Sequence, residues 1–183
     1  MTNKEKHDKL IGEWELRYKD ELKNQKKITL DGPKYWEKWE ISKPKILFLA
    51  KESYDSIHPR DIPNPIIDNF NIFQNIARWG YAINELYINL EKKPIYPPFE
   101  LIADTSISFN GICIVNVKKL EGISSSNDSE IRKFAKADMD LLRKQIDLIN
   151  PNIIVCCKTQ PCYDEIYPDF KRSLISPRIE TRC

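Results

Sequence analysis

Two polar side chains stand where apolar runs end in this 183-residue sequence, and both could do chemistry. The first is Glu52, in Ala50-Lys51-Glu52-Ser53-Tyr54-Asp55, directly after the run Lys45-Ile46-Leu47-Phe48-Leu49-Ala50. A carboxylate at the open end of a sheet can activate water or steady a developing cation. The second is Asn116, near the end of Gly111-Ile112-Cys113-Ile114-Val115-Asn116-Val117. Its primary amide offers a donor and an acceptor, which suits the edge of a base or another planar amide-like ligand. Each also has a plain reading: Glu52 as part of an ordinary polar loop, Asn116 as a turn or backbone-capping residue.

The elements that must position them are readable from periodicity. Leu10, Trp14, Tyr18 and Leu22 share one stripe, which predicts an amphipathic helix over about residues 4–26. Asp31-Gly32-Pro33 reads as a turn, followed by a short aromatic segment at 35–39. Residues 45–50, 111–117 and 152–157 are continuous apolar runs, the pattern of strands covered on both faces. Residues 51–65 hold three prolines and form a long ordered loop, of the kind that often carries function. Helical spacing returns over 68–90, with Gly80 a candidate break, and over about 129–150, where Pro151 ends it. Polar residues 124–128 supply a cap for that second helix, and a short helix is expected over 162–170.

A helix of this length between two strands makes a right-handed crossover between parallel neighbours. The expected fold class is α/β, a three-layer helix–sheet–helix arrangement around a short parallel sheet of three to four strands. In such sheets ligands bind beyond the carboxyl ends of the strands, here residues 51–55, 116–119 and 158–161.

Composition narrows the function classes. A hydrophobic content of 41% with 31% charged residues is ordinary for one globular domain. No glycine-rich phosphate motif occurs, which counts against dinucleotide and NTPase chemistry. A net charge of +2 leaves nucleic-acid binding to local patches, such as Lys23 to Lys27, Lys118 to Lys119 and Lys171 to Arg172. The five cysteines lack C-x-x-C spacing, so no disulfide framework or metal site is expected. The start is too polar for a signal peptide, and no apolar run approaches the ~20 residues that span a bilayer. A cytoplasmic, monomeric protein without a membrane partner is expected.

The two motifs together resemble those of the uracil-DNA glycosylase-like superfamily, over roughly residues 44–160. Its members place a water-activating motif of the form G-Q-D-P-Y-H after the first core strand. Ala50-Lys51-Glu52-Ser53-Tyr54-Asp55 is similar, with Glu52 on the aspartate and Tyr54 on the tyrosine that walls the base pocket. Ile114-Val115-Asn116 resembles the motif whose asparagine recognises the base, and residues 140–157 resemble the family's following helix and strand.

The resemblance implies a single glycosylase-like domain over 1–183 that hydrolyses the N-glycosidic bond of a flipped, uracil-type base in DNA, without a cofactor or metal. Glu52 would be catalytic. Lys51, Ser53, Tyr54, Phe70 and Asn116 would line the base site, with Phe70 stacking and Phe73 in the core. Lys118 and Lys119 would meet DNA phosphates. The family's late H-P-S motif has no counterpart here, since the two histidines are His7 and His58, and Ser176-Pro177-Arg178 is the nearest remnant. That departure leaves a second expectation open: a module on the same fold that binds nucleic acid or a nucleotide without cleaving it.

Overall fold

The computed structural model describes residues 1–24, 26–53, 58–62, 71–89, 97–98, 100, 109–122 and 126–169. Helix α1 (Asn3–Arg17) opens on a capping box. The Glu5 N–H donates to the Thr2 hydroxyl and the Thr2 N–H to the Glu5 carboxylate. The single helix expected over 4–26 is in fact two, because Tyr18 ends α1 and α2 covers only Lys19–Lys23. Then follow β1 (Gly32–Pro33), α3 (Trp36–Ile41), β2 (Ile46–Ala50), a 3-10 turn (Pro59–Asp61) and α4 (Asn71–Ile88). Beyond these lie β3 (Ile112–Asn116), α5 (Asp128–Ala137), α6 (Met139–Ile149), β4 (Ile153–Cys156) and α7 (Gln160–Ile166). Asn127 caps α5, within the polar stretch expected to do so.

The helix expected over 129–150 is also two, broken at Asp138. The cause is tertiary: the fully buried Asp138 carboxylate accepts hydrogen bonds from Trp14 Nε1 (3.1 Å), Tyr18 Oη (2.6 Å) and Arg17 (2.9 Å). One carboxylate thus fixes the joint between α5 and α6 and the point where α1 stops.

Among the described residues the sheet has four strands in the order β1-β3-β2-β4. Strand β2 pairs in parallel with both β3 and β4, whereas β1 joins β3 antiparallel. The sheet is therefore mixed, and the residues expected to form only a turn at Asp31-Gly32-Pro33 supply its edge. Gly32 suits that edge for two reasons. Its φ is +102°, and an added Cβ would lie 2.8 Å from His7 Nε2.

Strand alternation divides the core into two layers. Leu47, Leu49, Cys113 and Val115 pack with residues of α1, α5, α6 and α7, including Trp14, Ile131, Leu142 and Ile166. Ile46, Phe48, Ile112 and Ile114 face Phe73, Ile76 and Ala77 of α4. The fold is α/β with helices on both faces of the sheet, as expected, and Phe73 is a core residue.

Gly80 does not break α4. It lets the helix press onto the sheet, since an added Cβ would fall 2.1 Å from Ile112 Cδ1 and 2.8 Å from its Cγ1. Gly80→Ala gains helix propensity, about 1 kcal/mol, but overpacks a buried contact at about 1–3 kcal/mol. A net destabilisation of up to about 2 kcal/mol is expected, read as a lower urea midpoint with an unchanged slope.

Candidate functional site

Parallel pairing sets Ala50 in register with Asn116 at the carboxyl ends of β2 and β3. The two chains stay together beyond the strands. Val117 N–H donates to the Ala50 carbonyl (2.9 Å), Lys118 N–H to that of Lys51 (2.9 Å) and Gly122 N–H to that of Ser53 (2.8 Å). Both sequence motifs thus share one rim. The chain leaving β2 leads to α4 on one face, and the chain leaving β3 leads to α5 and α6 on the other. Strand ends whose connections part in this way are the usual place for a ligand in an α/β sheet.

Glu52 is buried, with its side chain only 2% exposed, and its Oε2 accepts a hydrogen bond from Lys118 Nζ at 2.8 Å. Lys118 also donates to Glu130 in the first turn of α5 (2.8 Å) and lies 5.3 Å from the centre of the Phe134 ring. Burial disfavours its charge, but the hydrogen bonds to Glu130 and Glu52 outweigh that and raise its pKa above the ordinary lysine value. The carboxylate fits because residue 122 is glycine: a Cβ there would lie 2.1 Å from Oε2 and 2.3 Å from Cδ.

Asn116 is 2% exposed. Its peptide N–H donates to Asp31 Oδ2 (2.6 Å), and its carbonyl accepts from Lys119 Nζ (2.7 Å). In the alternation of β3 it follows Ile112 and Ile114, on the α4 side. Its Nδ2 is buried and has no hydrogen-bond partner among the described residues, so it does not bond Glu52. A buried donor left unpaired costs about 1–3 kcal/mol, and such a group in a native fold calls for an acceptor from water or a ligand.

The other expected site residues divide. Lys51 lies at the same rim, paired with Asp128 at 2.6 Å, and Ser53 is held through its carbonyl by Gly122. Tyr54, Phe70 and Ser176-Pro177-Arg178 lie outside the described residues.

The two lysines expected to meet phosphates do not face solvent. Lys119 is fully buried, ion-paired with Asp31 at 2.5 Å and 4.8 Å from the centre of the Trp14 ring. Burial pushes its pKa below the ordinary lysine value, against the pull of Asp31. Lys118 is 8% exposed as a residue and committed to two glutamates. Both ammonium groups balance carboxylates inside the protein, which corrects their expected role. At this end of the sheet Lys51, Arg132 and Lys158, with Asp128, line a cavity of about 40 Å³.

Asp31 is the residue that local sequence did not reveal. Besides Lys119 and the Asn116 N–H, its carboxylate accepts from Gln145 Nε2 at 2.8 Å, and its carbonyl accepts from Arg60 Nε at 2.7 Å. Gln145 in turn lies 2.9 Å from His7 Nε2, and Arg60 contacts His7 Nδ1. An aspartate in Asp-Gly-Pro carries the signature of a turn and nothing more.

No family model, curated protein or solved structure matches the chain. Among the described residues, no helix is long and apolar enough to cross a membrane.

Proposed function

We propose that the rim where β2 and β3 end receives a flipped, uracil-type base, and that the chain is a uracil-DNA glycosylase-like hydrolase of the N-glycosidic bond. The observation that carries this reading is the buried Nδ2 of Asn116, without a partner among the described residues, at the rim where β2 and β3 end. A lone donor in that place selects an acceptor, such as a ring carbonyl, over a donor. Glu52 would position water and offset the positive charge that develops on the sugar as the bond breaks. A flipped nucleotide brings its phosphates to the rim, where Lys51, Arg132 and Lys158 would meet them.

Release of free base from uracil-containing single- and double-stranded DNA tests the reading. Glu52→Gln is expected to lower the rate about 100-fold or more, the usual contribution of a positioned acid–base group. Asn116→Ala should cost about tenfold or more, as for one good polar contact to a base edge. Equal rates in wild type and both variants would reject these roles.

One feature favours a second reading, a module that binds a base or nucleotide without hydrolysis. The Glu52 carboxylate already has a cation, Lys118, beside it, which reduces what it can offer a cationic sugar. Salt-sensitive binding of a uracil-containing strand, weakened in Asn116→Ala and unaccompanied by base release, would decide for this alternative.

A further inference from the structure

We infer that Asp31 and Lys119 are positioning residues for Asn116, a buried ion pair that holds both its backbone N–H and its carbonyl and so aims its side-chain amide. The inference rests on the reading of Asn116 as the base-recognising residue.

Toward β2 the pairing continues past Asn116 through Val117 and Lys118, but on the other side β1 pairs with β3 at Cys113 and Ile114 and does not reach Asn116. Two contacts from outside the strand take over. Asp31 Oδ2 accepts the Asn116 N–H at 2.6 Å, and Lys119 Nζ donates to the Asn116 carbonyl at 2.7 Å. The same two groups join each other at 2.5 Å, so peptide and ion pair close a ring of three contacts. All three residues are at most 2% exposed.

The ring is anchored in turn. Gln145 on α6 holds the other Asp31 oxygen, Arg60 holds its carbonyl, and the ring of Trp14 covers the lysine. None of these anchors reaches the Asn116 side chain, whose Nδ2 has no partner among the described residues. The amide is therefore oriented through its backbone while its donor is left for a ligand. Recognition by a preset group loses less to ordering on binding than recognition by a mobile one.

Two readouts test the clamp, the first needing no ligand. In Lys119→Met, backbone hydrogen exchange at Asn116 is expected to speed at least tenfold relative to its neighbour Val115. In the same variant, preference for a single-stranded oligonucleotide bearing one uracil over the identical strand bearing cytosine should fall at least tenfold. Affinity for the cytosine strand should stay within twofold. A purely structural role would move both affinities together, in proportion to the unfolded fraction. Asp31→Asn, which keeps the shape and one acceptor oxygen, is the second variant should Lys119→Met fail to fold, and the same changes are expected in it.

Unchanged exchange at Asn116 in a folded variant would overturn the clamp whatever the ligand. Should wild type show no preference for uracil, the proposed base recognition fails, and the exchange comparison still decides whether the pair holds Asn116.

Discussion

Replacing Lys119 by methionine is expected to lower the unfolding free energy by about 3–5 kcal/mol, the cost of breaking a buried ion pair from one side. Methionine matches the length and apolar stem of lysine, so packing against Trp14 is largely kept. What is lost is the only cation that touches the Asp31 carboxylate among the described residues, at a place with no exposed surface. The Asn116 carbonyl loses a donor at the same time. Lys51→Met serves as the contrast. Its partner Asp128 is 75% exposed, and pairs of that kind contribute about 0–1 kcal/mol. Urea unfolding of the two variants checks the difference. Midpoint losses of similar size would show that burial does not set the value of the Asp31–Lys119 pair.

Acidification should destabilise the fold well before carboxylates titrate, and His7 is the reason. Its ring has no exposed surface, and burial, assisted by the charge of Arg60, pushes its pKa down to about 3. Lys119 acts in the same direction, while Asp31 and Asp8 oppose it. In the unfolded chain the same group takes up a proton near pH 6.5. Between those values the unfolded state binds more protons, so stability is complete above about 6.5 and declines as pH falls toward 3. At about 1.4 kcal/mol per unit, the whole window amounts to about 4–5 kcal/mol.

From pH 6.5 to 4.5 His7 dominates, because ordinary carboxylates begin to titrate only toward the lower end of that range. A loss of about 2–3 kcal/mol is expected there, measured as the urea midpoint at fixed ionic strength. His7→Gln should be less stable at pH 7 yet flat across the same range. A variant that retains the wild-type slope would assign it to another group.

The core strands were legible because a strand covered on both faces leaves an unbroken apolar run. The runs at 45–50, 111–117 and 152–157 became Ile46–Ala50, Ile112–Asn116 and Ile153–Cys156. The rim shared by Glu52 and Asn116 was legible for the same reason, since parallel strands end on one side. The helix joints at Tyr18 and Asp138 were not, because the apolar stripe runs straight through both and the break comes from contacts about 120 residues apart. Edge strand β1 is two residues long and has no periodicity to read. The roles of Lys118 and Lys119 were hidden likewise. Two adjacent lysines after a strand look like a surface patch until the carboxylates of Glu52 and Asp31 are placed beside them in space.

Asp138 has a consequence for how the molecule opens. Terminal helices ordinarily fray at little cost, independently of the rest. Here, lifting α1 away would strip a carboxylate that water does not reach of its indole, phenol and guanidinium donors in one step. The amino-terminal segment is therefore bound into the same cooperative unit as α5 and α6, and leaves the structure only when they do.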